Sequence, residues 1–145
     1  MIRAGAVALI AVAALAVAGC GGKKKASVEG ITLAQAKACV TKLGGHIHAP
    51  NVPAFSSEVS KASQGGGGGA FAAPYKLKKS SGQYSFFVYR DSAAAQAGAA
   101  RLRTLARKAS ILGTGQTVVV SRNFVVAVFE RLSPAAVAAF RACAP

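Results

Sequence analysis

Tryptophan is absent from this 145-residue chain, methionine occurs once, and only four residues are acidic: Glu29, Glu58, Asp91 and Glu130. The shortage of acids excludes the most. Glycoside hydrolysis needs two suitably placed carboxylates. Asp91 reads as a helix cap and Glu29 lies close to the N-terminus, so little remains to build a pair. A Ser-His-Asp relay needs a base and an orienting acid. His46 or His48 with Asp91 would be such a set, but no Gly-x-Ser-x-Gly supports it. The three cysteines, Cys20, Cys39 and Cys143, include no Cys-x-x-Cys and match no metal-ligand spacing. Gly65 to Gly69 are not followed by Lys-Ser/Thr, so they do not form a phosphate-cradling loop. The expectation is a non-enzyme with no metal and no dissociable cofactor.

Long apolar runs are missing too. The longest, Ala4 to Ala18, is broken only by Gly5 and follows Arg3. It falls short of the roughly 20 residues that a membrane-spanning helix needs. A basic residue, a short apolar core and small residues at its end read instead as an export signal. The run closes with Val17-Ala18-Gly19-Cys20, and Lys23-Lys24-Lys25 follows.

Those four residues resemble the lipobox of bacterial lipoproteins. The resemblance covers residues 1–22 only. It implies that the Cys20 thiol receives a diacylglyceryl group and that cleavage falls between Gly19 and Cys20. It also implies a location on the extracytoplasmic side of the cell membrane, or in the outer membrane of a two-membrane cell. Each buried methylene of such a lipid contributes about 0.8 kcal/mol, so two or more chains make a stable anchor. Lys23, Lys24 and Lys25 would then lie at the headgroups, each adding about 1 kcal/mol on an anionic surface. Otherwise they form a solvated spacer. The first partner expected is membrane lipid, through Cys20.

The organisation that follows is a signal at 1–19, a tether at 20–30 and one domain at 31–145. The whole chain carries 18 basic residues and a formal charge of +14; losing residues 1–19 removes only Arg3 and leaves +13. On an exported protein that charge favours anionic envelope polymers or proteins. Nucleic acid is not expected, because no recognition motif accompanies the charge. With Cys20 assigned to lipid, Cys39 and Cys143 remain. In an exported chain they read as one disulfide, with free thiols or a metal site as the alternatives.

Within the domain, Thr32 and Gln35 form a capping box before the apolar stripe Leu33, Ala36, Val40 and Leu43, and Gly44-Gly45 ends that helix. His46-Ile47-His48 reads as a short strand. Residues 50–70, with Pro50, Pro53, serines and five glycines, read as a flexible loop. Phe71 to Lys78 and Tyr84 to Tyr89 are expected strands. Asp91-Ser92 cap a helix to Ala109, whose Arg101, Arg103, Arg107 and Lys108 form either a weak anion-binding face or an ordinary solvated one. Thr117 to Val120 and Phe124 to Glu130 make a hairpin through Ser121-Arg122-Asn123, and Ser133-Pro134 starts the last helix. The expected fold is α+β: a small antiparallel-rich sheet with helices on one face, in the order α-β-β-α-β-β-α, stapled from first helix to last. Two functions fit: a membrane-anchored interaction module, or a small-ligand-binding lipoprotein with a pocket between the sheet and the 50–70 segment.

Overall fold

The computed structural model describes residues 30–64, 66, 68–74, 83–109 and 116–145. The export signal, Cys20, Lys23 to Lys25, and the last part (75–78) of the strand expected at Phe71 to Lys78 lie outside these residues. In chain order the elements are α1 (Leu33–Lys42), a 3-10 turn (Pro53–Phe55), α2 (Ser56–Ser63), β1 (Gly69–Pro74), β2 (Gln83–Val88), α3 (Ser92–Ala109), β3 (Thr117–Ser121), β4 (Phe124–Val128) and α4 (Pro134–Ala142).

Local chemistry sets most of the helix ends. The Thr32 hydroxyl accepts from the Gln35 backbone N–H at 3.2 Å, and the Gln35 side chain accepts from the Thr32 N–H at 2.9 Å. This capping box satisfies two donors that a helix start otherwise leaves unpaired. Gly44 then takes φ +89°, the left-handed position expected just past the helix. Asp91 caps α3 by accepting from the Ala94 N–H at 2.7 Å. Ser133 caps α4 in the same way, accepting from the Ala136 N–H at 3.2 Å, with Pro134 in the first turn.

The four strands form one antiparallel sheet in the order β1-β2-β4-β3. Period-two alternation sends Phe71, Tyr84, Phe86, Val88, Phe124 and Val126 to one face, under α1 and α4. Phe87, Val118, Val120, Val125 and Ala127 go to the other face, with residues of α2 and α3. The α+β class, the antiparallel sheet and the α1–α4 staple are as expected. The arrangement of helices on one face is not: both faces are covered. The physical reason lies in β4, which is buried at every position, so each side of the strand needs an apolar partner.

Part of that second cover comes from the segment expected to be a flexible loop. Residues 53–63 instead form the 3-10 turn and α2. An eight-residue helix is marginal by itself, so packing must hold it. Phe55 is 1% exposed, stacks on Phe129 with centroids 5.2 Å apart and meets Phe87 edge-on at 6.1 Å. Burying one such ring stabilises by about 1.5–3 kcal/mol. Gly68, which follows, also has a packing role. A Cβ at Gly68 would stand 2.2 Å from the Ala62 carbonyl oxygen and 2.5 Å from that of Val88, so only glycine lets α2 come this close to the end of β2.

His46-Ile47-His48 contributes a single antiparallel bridge, His48 to Ala72, rather than a strand. No described helix is long and apolar enough to cross a membrane.

Candidate functional site

Charge is concentrated where α2 meets α3. Glu58, in the first turn of α2, is 1% exposed. Arg101, three turns into α3, reaches it with two hydrogen bonds, Nε to Oε1 at 2.7 Å and Nη2 to Oε2 at 3.1 Å. Lys61 lies 3.4 Å from Oε1, and the Tyr89 hydroxyl donates to Oε2 at 3.2 Å. One carboxylate therefore has four polar contacts from three side chains. Burial by itself would push the Glu58 carboxyl up, but the Arg101 and Lys61 contacts outweigh it and hold the group below the ordinary value of 4.5. For Tyr89, burial first and the adjacent carboxylate second push the phenol well above its ordinary 10.0.

An ionised carboxylate beside a neutral phenol moves no protons near neutral pH. The arrangement is suited to holding two helices in place. Gly98 is part of it: a Cβ there would stand 2.2 Å from the Tyr89 hydroxyl oxygen and 2.3 Å from its ring carbon Cζ. Tyr89 is 2% exposed and tied to Glu58, so it has little room to yield. Gly98→Ala should therefore destabilise the fold by about 1–3 kcal/mol, despite the gain of about 1 kcal/mol in helix propensity. Chemical denaturation checks this, and an increase in stability would mean that the Tyr89 contact is slack.

Lys61, Arg90 and Arg101 border a groove of about 360 Å³ beside this cluster. Each of these cations already faces a carboxylate: Arg90 Nε lies 2.9 Å from Asp91, and the other two meet Glu58. The Asp91 carboxyl is held below its ordinary value, chiefly by the Ala94 N–H. Arg101 is thus tied to Glu58 within the basic set expected on α3. Arg103, Arg107 and Lys108 are exposed on the same helix.

On the opposite side of the sheet, Cys39 and Cys143 are bonded, with Cα atoms 5.7 Å apart. Nearby, Asn123 secures the point where the chain enters the domain. Its Oδ1 accepts from the Ile31 N–H at 2.8 Å, and its Nδ2 donates to the Ile31 and Tyr89 carbonyl oxygens, each at 2.8 Å. Asn123 is fully buried, so these bonds replace water at both its amide atoms.

Among the expected site residues, the structure joins Cys39 to Cys143 and separates that pair from the α3 cations by the sheet. His46 and His48 are both exposed, and the described residues contain no group of three His, Cys, Asp or Glu side chains able to hold a metal. Phe55 and Ala62 are buried in the 50–70 segment, where a ligand pocket against the sheet was expected. Sequence reasoning missed Glu58, Tyr89 and Asn123. For Glu58 one signal existed, the Glu58–Lys61 spacing on one helix face. No family model matches the chain, and comparison with curated proteins and with solved structures found no match either.

Proposed function

We propose that this chain is an exported lipoprotein whose folded domain, tethered through Cys20, serves as an interaction module at the outer side of the cell membrane. The observation that carries this reading is Val17-Ala18-Gly19-Cys20 at the close of a short apolar run. Two further observations support it. A Cys39–Cys143 disulfide suits an oxidising compartment outside the cytosol. Pairing those two also leaves Cys20 as the remaining cysteine of three, available for lipid. On this reading the domain works by contact rather than by catalysis. Its basic surface gives it a preference for anionic envelope components.

Expression of the full chain in a bacterial host, followed by intact mass measurement of the membrane fraction, tests the anchor. The expected product lacks residues 1–19 and carries acyl mass on Cys20, and Cys20→Ser abolishes both changes. A soluble product without lipid would sink the proposal. Capture of envelope components by the mature protein at low and high salt then tests the module. Anionic partners should be released as salt screens the surface.

A further inference from the structure

An open groove of about 440 Å³ lies where the tether meets the domain, and Gly30, Gln35, Cys39, Lys42, Arg122 and Cys143 are among its lining. We infer that this groove is a binding site for the phosphate of an anionic lipid headgroup, and that it seats the domain directly on the membrane surface. The inference rests on the proposed Cys20 anchor and adds to it an orientation and a ligand.

Three observations carry it. The first is chain length. Gly30 is ten positions on from Cys20, so a fully extended tether spans at most about 36 Å. Gly30 itself forms part of the groove, which makes this the region of the domain that the anchor keeps nearest the lipid. The second is charge. Among the described residues, the groove is lined by the cations Lys42 and Arg122 and by Pro145 at the carboxyl end of the chain, and by no Asp or Glu side chain. The groove beside α3 differs, because its cations already face Glu58 and Asp91. The third is backbone conformation. Arg122 takes φ +49° in the two-residue turn between β3 and β4, and it is the one non-glycine residue at positive φ among those described. Such turns favour Gly or Asn at left-handed positions, and another residue there costs roughly 1–2 kcal/mol. The chain nevertheless places a guanidinium at that position, and its planar fork suits phosphate oxygens.

The test uses the mature protein, purified from a bacterial host and reconstituted into vesicles of phosphatidylcholine alone or mixed with phosphatidylglycerol. Hydrogen exchange is followed at residues 30–42 and 121–124. The expected result is several-fold slower exchange with phosphatidylglycerol, reversed by high salt and absent in Arg122→Gly. That variant should melt no lower than the wild type, since glycine relieves the turn, so a loss of protection cannot be ascribed to misfolding. Equal exchange in both vesicles, protection confined to α3, or protection retained by Arg122→Gly would each overturn the inference. An equal effect from a soluble anionic wall polymer would overturn the choice of lipid. The intact mass of the same sample separates the two proposals. Acylated but unprotected protein rejects the groove alone, whereas protein without acyl mass rejects the anchor. In that second case, flotation of the unacylated protein with phosphatidylglycerol vesicles still decides the groove. Arg122→Gly should then weaken binding roughly fivefold, the effect of one basic group at an anionic surface; failure of the wild type to float, or no weakening in the variant, overturns it.

Discussion

Replacing both Cys39 and Cys143 with alanine is expected to lower the unfolding free energy by about 4–5 kcal/mol. The two residues are 104 positions apart. In the chain-entropy model, freeing a loop of this length returns about 4.7 kcal/mol of conformational freedom to the unfolded state. Native domains of this size are stable by only about 5–15 kcal/mol. The variant should therefore sit close to its unfolding threshold. The bond also joins α1 to α4 across the same face of the sheet, and both helices are short. Without the bond, each depends on side chains such as Val40 and Phe140 for its hold. Urea denaturation of the oxidised wild type and the double variant, at equal protein concentration, measures the difference. A midpoint shift equivalent to less than about 1 kcal/mol would show that the unfolded chain is already compact and that the loop-entropy argument fails here.

Arg101→Met should produce the second large effect, about 2–3 kcal/mol of destabilisation. Breaking a buried ion pair typically costs about 3–5 kcal/mol, because the partner charge is left without compensation. The lower figure applies because Arg101 is 40% exposed and Lys61 still faces the carboxylate. Removing the whole cluster should cost less than removing one member. Glu58→Met with Tyr89→Phe and Arg101→Met leaves no buried charge or hydroxyl behind, and its stability should return to within about 1 kcal/mol of the wild type. If the triple variant is instead less stable than the single one, the cluster contributes more than mutual compensation.

The same cluster sets a pH dependence. The Glu58 carboxyl titrates lower in the folded chain than its ordinary 4.5, so its contribution is complete above that value. It is lost as pH falls through the folded value. Tyr89 acts at the other extreme. Its phenol is raised above 10.0, so the neutral form favoured by folding contributes fully below pH 10 and less as pH rises further. Denaturation midpoints of the wild type should fall at both ends. Arg101→Met should lose much of the decline below pH 4.5, because Lys61 is then the one cation left to hold the Glu58 carboxyl down against burial.

Much of the local structure was legible in the chain. Thr32 with Gln35, Asp91 before α3, and Ser133-Pro134 each marked a helix start through bonds made within three or four residues. Tyr84 to Val88 and Phe124 to Val128 marked strands because side-chain direction alternates along any extended backbone. The cysteine pairing was legible from arithmetic, once Cys20 was expected to carry lipid. The 50–70 segment was not legible. Its serines and glycines carry weak helix propensity, and what orders residues 53–63 is Phe55 lying between Phe87 and Phe129, more than thirty residues away. Gly68 looked like part of a spacer until the backbone of Ala62 and the carbonyl of Val88 closed around it.

The candidate site divides in the same way. Composition, the apolar run and Val17 to Cys20 determined by themselves the expectation of an exported, lipid-anchored, strongly basic protein, because such signals act as short linear segments. Which cations are free to meet a partner was decided only by tertiary structure. Arg101 looked equivalent to Arg103 and Arg107 along α3, yet folding ties it to Glu58 and leaves the other two exposed. Arg122 was an unremarked turn residue until the hairpin placed it beside Lys42 and Gly30. Electrostatic pairing depends on distances of a few ångströms between residues far apart in the chain, and no local pattern encodes those distances.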